Sequence, residues 1–156
     1  MKNIKNKILI FGLSSMILGC SQSATSVFER DPLYAQNIQY SKVIKVVEKE
    51  NVNAIFNITY LNSVDSWKWN DDQQHFLIGT YTVDNNASQY KLTMNDMEPI
   101  SKKEVTKENE LFKNIAFRNH WGKYSIVSFE DSDEKNLTLV YKYGVDNNIS
   151  TTFIKE

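Results

Sequence analysis

Apolar and polar residues alternate with period two along most of this chain. In residues 54–61, Ala54, Phe56, Ile58 and Tyr60 fall on one side while Asn57 and Thr59 fall on the other, the pattern of a strand buried on one face. Tyr90, Leu92 and Met94 alternate in the same way with Gln89, Lys91 and Thr93, and Ile149, Thr151 and Phe153 with Ser150, Thr152 and Ile154. Residues 75–83, 124–129 and 137–143 are rich in β-branched and aromatic side chains and predict three further strands. Turn-forming clusters lie between these runs: Asn85-Asn86, Asp131-Ser132-Asp133 and Asp146-Asn147-Asn148.

Short strands at this spacing point to a sandwich or barrel. The expected fold is all-β, an antiparallel β-sandwich with at most one short helix, and an immunoglobulin-like arrangement is one form of it. In that form Tyr124 would sit at a tyrosine corner, its hydroxyl returning to upstream backbone; an ordinary core tyrosine is the alternative. The last two strands, joined through residues 144–148, read as a hairpin.

Two segments fit the pattern less well. Residues 40–48 carry Val43, Ile44, Val46 and Val47, which suit a helical stripe or a strand. β-Branched side chains lose freedom in helices, so a strand paired with residues 52–61 across a turn at Glu50-Asn51 is expected. Residues 101–112 begin with Ser101 and Glu104 at capping-box spacing, which fits either a short helix or a long mobile loop.

The N-terminus departs from the alternation altogether. Lys2, Lys5 and Lys7 precede an almost wholly apolar run over residues 8–18, a basic region followed by a short hydrophobic one. A stretch this short falls below the roughly 20 apolar residues that cross a hydrocarbon core. It leads into Ile17-Leu18-Gly19-Cys20, which resembles the lipobox of bacterial lipoproteins. That resemblance covers about the first 21 residues. It implies a signal peptide over residues 1–19, cleavage after Gly19, and diacylglycerol on the Cys20 sulfur with further acylation of the new amino group. One acyl chain binds a membrane marginally, whereas two or three hold it firmly. Ser21 stands where an Asp would retain an enteric lipoprotein at the inner membrane, so the resemblance implies an outer-membrane address.

Composition agrees with an exported, lipid-held domain. Cys20 is the single cysteine of the 156 residues, so an internal disulfide and a cysteine-based zinc site are both excluded. Residues 21–26 are small and polar, and residues 20–38 are expected to form a lipidated tether ahead of one sandwich domain over residues 39–156. Three of the 18 basic residues lie in the leader, leaving 15 against 19 acidic residues and a formal charge of −4. That balance disfavours nucleic acid as a partner. Through Thr59-Tyr60-Leu61-Asn62 and Asn119-His120-Trp121-Gly122-Lys123-Tyr124 the domain is similar to small uncharacterised envelope lipoproteins of low-GC Gram-negative bacteria, a resemblance that implies no activity.

Candidate chemistry is sparse. After the leader there is no Gly-x-Ser-x-Gly, no thiol besides Cys20, and only Gly79, Gly122 and Gly144 for a phosphate loop. No cofactor or metal is expected, and a non-enzymatic binding or assembly module is the first reading. An enzyme built on two carboxylates stays open because such pairs leave no local spacing. The most distinctive stretch is residues 64–75, with Trp67, Trp69, Asp71, Asp72 and His75. In an extended segment Trp67 and Trp69 would share a face, and the polar groups beside them could bind a glycan or a small ligand stacked on indole. Alternatively one indole plugs the sandwich end while the acids form a solvated turn. Adjacent acids on a strand point apart, so Asp71, Asp72 and His75 could meet one metal ion only on a bent loop. His120-Trp121-Gly122 offers a binding corner as one reading, with packing at a strand entrance the expected one. The expected partners are a membrane, reached through lipid on Cys20, and an envelope protein or glycan.

Overall fold

A computed structural model describes residues 32–83, 89–144 and 147–155. The leader, Cys20, Ser21 and the first part of the tether lie outside the described residues, as do Asn85, Asn86 and Asp146. Helix α1 (Pro32–Gln39) opens the described chain. It is followed by β1 (Ser41–Glu48), β2 (Asn51–Tyr60), the single-turn helix α2 (Leu61–Val64) and β3 (Gln73–Thr82). Then come β4 (Lys91–Met94), β5 (Ser101–Glu104), a 3₁₀ turn at Glu110–Asn114, β6 (Lys123–Glu130), β7 (Asn136–Tyr143) and β8 (Asn147–Ile154). The strands form two antiparallel sheets, one of order β1-β2-β3-β6-β5 and one of order β4-β7-β8. The expected all-β sandwich is therefore the fold.

Its strand order differs from that of an immunoglobulin domain. β1, β2 and β3 run side by side as a meander, whereas the immunoglobulin order sets its second strand between the first and the fifth. The β1–β2 hairpin turns on Lys49 and Glu50, both at positive φ, one residue earlier than the sequence suggests. Two residues of that conformation match the right-handed twist of the paired strands.

The alternating positions of β2 face the second sheet. Phe56, Ile58 and Tyr60 meet Phe76, Phe129, Leu139, Tyr141 and Phe153 in one buried cluster. Aromatic contacts tie the layers together: Phe56 stacks on Tyr141 with ring centroids 3.9 Å apart, and Phe76 meets Phe153 at 5.6 Å.

A second cluster lies on the opposite face of the larger sheet, where Leu61, Leu77, Val105, Ile115 and Tyr124 are buried with Trp69, Phe112 and Ile126 against them. β3 and β6 are thus covered on both sides, and residues 105–122 supply the outer cover. Tyr124 does make the corner contact: its hydroxyl accepts from Asn119 N–H at 2.6 Å and donates to Asn119 C=O at 3.1 Å.

Two expectations are corrected. Ser101–Glu104 is strand β5 and not a helix start, with Ser101 opposite Ser128 and Glu104 opposite Ser125. A local capping signal is weak beside the unpaired backbone that β6 would otherwise expose at a sheet edge; the helical character of this region survives only in the 3₁₀ turn, capped where Asn109 Oδ1 accepts from Leu111 N–H. Residues 32–38, expected within the tether, are helical. Helix α1 joins the domain through Asn37, which is buried and whose carbonyl accepts from the Ser41 hydroxyl.

Candidate functional site

The segment joining β2 to β3, residues 61–72, carries the aromatic and acidic residues singled out above. Asn62 organises it. Its amide nitrogen donates to Trp69 C=O at 2.9 Å and to Gln73 C=O at 2.8 Å, and its Oδ1 accepts from His75 N–H at 2.8 Å. One side chain therefore clamps three backbone groups between Trp69 and His75, the last of them thirteen positions further along the chain. Asp65 shapes the tip: its carbonyl accepts from Lys68 and Trp69 N–H, and its carboxylate also accepts from Lys68 N–H at 3.2 Å.

This turn separates the two tryptophans. Trp67 stands at the tip, 95% exposed. Trp69 folds back into the second core cluster, its ring centroid 4.9 Å from that of His75. The shared tryptophan face expected of an extended segment does not exist, because the Asp65 hydrogen bonds wind residues 65–69 into a turn. Trp121, expected to pack, is 81% exposed.

His75 is buried beneath Trp69 and hydrogen-bonded on both sides. Its Nε2 lies 2.6 Å from Asp71 Oδ1 and its Nδ1 lies 2.9 Å from Ser128 Oγ. Ser128 reaches the histidine because it sits directly opposite in the β3–β6 ladder. Acid, imidazole and hydroxyl thus form a continuous chain. Ser128 is, however, only 4% exposed and lies within a regular strand. Asp72 is exposed and takes a positive φ of 51°. Asp71 and His75 engage one another, and no group of three or more His, Cys, Asp or Glu side chains placed to hold a metal occurs among the described residues.

Beside this loop lies a polar cleft of about 210 Å³ lined by Asn70, Asp71, Asp72, Gln73, Asp131 and Lys155. A hydrogen-bonded chain forms its floor. Tyr60 O–H donates to Gln74, Gln74 Nε2 donates to Asp131, and Lys155 Nζ donates to both Asp131 oxygens at 2.7 and 3.0 Å. The Lys155 ammonium holds the Asp131 carboxyl below the usual carboxylate range, helped by Gln74 and the Ser132 N–H and opposed by partial burial.

Asn62, Gln74, Ser128 and Lys155 escape a reading of the sequence as site residues, and Asp131 shows there only as part of a turn-forming cluster. Ser128 and Asp131 come to the site through the pairing of β6 with β3, and Lys155 through the end of β8, so no local spacing marks them. No protein-family model, curated protein or solved structure matches this chain. Among the described residues no helix is long and apolar enough to cross a membrane.

Proposed function

We propose that the chain is a lipid-anchored, non-enzymatic binding module of the bacterial cell envelope, held to the outer membrane through Cys20 and meeting its partner with the β2–β3 loop. The observation that supports this reading is Trp67, fully exposed at the tip of a loop clamped by Asn62 and Asp65. Burying an aromatic side chain removes about 150–250 Å² from water, and such anchors carry much of the energy of an interface. A partner that covers Trp67 gains that area with little loop ordering to offset it.

The chain Asp71–His75–Ser128 is structural in this reading. Ser128 is 4% exposed within a regular strand, which leaves an acyl substrate no approach to its Oγ, and its hydroxyl fixes the imidazole orientation instead.

Palmitate labelling tests the anchor. Wild-type protein is expected to take up label and fractionate with outer membranes, while Cys20→Ser is expected to be unlabelled and released. Retention of the Cys20→Ser protein in membranes would overturn the anchoring.

Glycan is the ligand class favoured by the cleft, since Ser66, next to Trp67, lines a polar depression rich in amide and carboxylate groups. Indole stacks on the apolar face of a sugar while such groups bond its hydroxyls. Titration with envelope polysaccharide fragments is expected to quench tryptophan emission in the wild type and not in Trp67→Ala. Equal quenching in both would remove the glycan reading.

A further inference from the structure

The three-stranded sheet is too narrow to cover the five-stranded one. β8 lies toward β1, where Lys42 Nζ donates to Thr152 C=O and stands 5.1 Å from the Phe153 ring centroid. β5, at the other end of the larger sheet, therefore projects past β4, the far edge of the smaller one. Between β4 and β5 a cleft of about 380 Å³ opens into the sandwich, within the size range of small-molecule sites. Phe56, Val127 and Tyr141 belong to its wall, and Lys91, Glu98 and Lys102 also border it.

Tyr141 is the unusual member. It is 4% exposed, and its hydroxyl has no hydrogen-bond partner among the described residues. Burial pushes its ionisation far above the ordinary phenol range, so the group is a neutral O–H donor with nothing to donate to. A buried hydroxyl left in this state costs about 1–3 kcal/mol relative to a paired one, and phenylalanine would fill the same space without that cost. Of the two buried side-chain polar atoms without a partner among the described residues, Thr93 Oγ1 does not border the cleft and Tyr141 does.

Lys102 is the second observation. Opposite Val127 in the β5–β6 ladder, it points to the inter-sheet side. Lys91 is engaged by Glu98 at 2.5 Å, whereas no acid lies within ion-pair distance of Lys102 among the described residues. The cleft therefore has an aromatic wall, with the buried Tyr141 hydroxyl left without a partner and Lys102 without an acid among the described residues.

We propose that this cleft binds a small amphipathic monoanion with a flat apolar body, of the aromatic carboxylate class. The body lies against the Phe56, Tyr90 and Tyr141 rings, an oxygen accepts from the Tyr141 hydroxyl, and the negative charge is met by Lys102. This site is separate from the Trp67 loop and stands whether or not that loop binds glycan.

Isothermal titration of the full chain with naphthoate tests the proposal. Saturable one-to-one binding is expected, weaker for the neutral naphthamide. Tyr141→Phe is expected to reduce naphthoate affinity about tenfold, the share of one hydrogen bond to a charged acceptor, while leaving thermal stability equal or higher. That combination separates a binding hydroxyl from a structural one and excludes misfolding as the cause. Lys102→Met, on an exposed edge position, is expected to lower affinity and flatten its salt dependence. No saturable binding at millimolar naphthoate, or an affinity left unchanged by either substitution, would overturn the proposal.

Discussion

Gly79 lies directly opposite Tyr124 in the β3–β6 ladder, and a Cβ placed on Gly79 would fall 2.5 Å from Tyr124 Cε1. The glycine leaves room for a ring to lie flat across the outer face of the sheet. From there the ring touches Phe112 edge-on at 5.6 Å and its hydroxyl reaches Asn119. Residues 105–122 are thereby fixed over the second core cluster.

Gly79→Ala is accordingly expected to destabilise the fold by about 1–3 kcal/mol, the usual cost of overpacking. Tyr124 is buried and cannot swing away cheaply. The cost should largely vanish in a Tyr124→Leu background, so a double-mutant cycle in denaturant is expected to be strongly non-additive. Additive penalties would mean that the close approach is not the reason for glycine.

Tyr124→Phe keeps the ring and removes only the hydroxyl. Asn119 C=O still accepts from Gly122 N–H, but Asn119 N–H loses the acceptor given by the tyrosine. A loss of about 1–2 kcal/mol is expected, together with faster amide exchange at Asn119 and slower change in the β6 strand itself. Unaltered exchange at Asn119 would show that the corner contact does not hold the loop.

Legibility in the sequence followed the range of each interaction. β2, β6 and β7 were legible because each strand carries its own alternation or its own β-rich run. β5 was not, since Ser101, Lys102, Lys103 and Glu104 hold no apolar residue and become a strand only because β6 offers an edge to pair with. The site divides in the same way. His75 and the acids near it drew notice as a local cluster, yet Ser128 and Asp131 reach them through the register of β3 on β6. Trp67 and Trp69 share a face only on an extended backbone, and the hydrogen bonds of Asp65 set them apart.

Asn62→Ala should be the most damaging polar substitution in the β2–β3 segment. It leaves His75 N–H, Trp69 C=O and Gln73 C=O without their shared partner, for an expected loss of about 2–3 kcal/mol at roughly 1 kcal/mol per bond. Asn62→Asp retains an acceptor for His75 N–H but sets an acceptor-only oxygen against Trp69 C=O and Gln73 C=O, so what it keeps on the first bond is expected to be offset by repulsion at the other two. Trp67→Ala, by contrast, is expected to fall within about 0.5 kcal/mol of wild type, as surface substitutions do. Urea midpoints for the three variants check this order, and a Trp67→Ala penalty above that of Asn62→Ala would contradict it.

The acid limb of the stability curve should depend on Asp131. Lys155 lowers its folded-state ionisation below the ordinary carboxyl value of about 3.9, so the folded protein binds this proton less readily than the unfolded chain does. The stabilisation is fully present above the unfolded value and disappears as pH falls through the lower, folded one. Asp131→Asn keeps an acceptor for Gln74 and removes the charge. The stability gap between wild type and Asp131→Asn is thus expected to be flat above about pH 5 and to close below about pH 4. Glu98 and Glu108 are also held below their ordinary range, but they are present in both proteins and cancel in the difference. Because Asp131 and Lys155 are partly exposed, with side chains 42% and 32% accessible, solvent screening keeps the gap small, of the order found for surface ion pairs. Chemical denaturation of both proteins across this pH range measures it. A gap that widened toward acid would mean that Asp131 is harder to ionise in the fold than out of it, and the arrangement with Lys155 would have to be wrong.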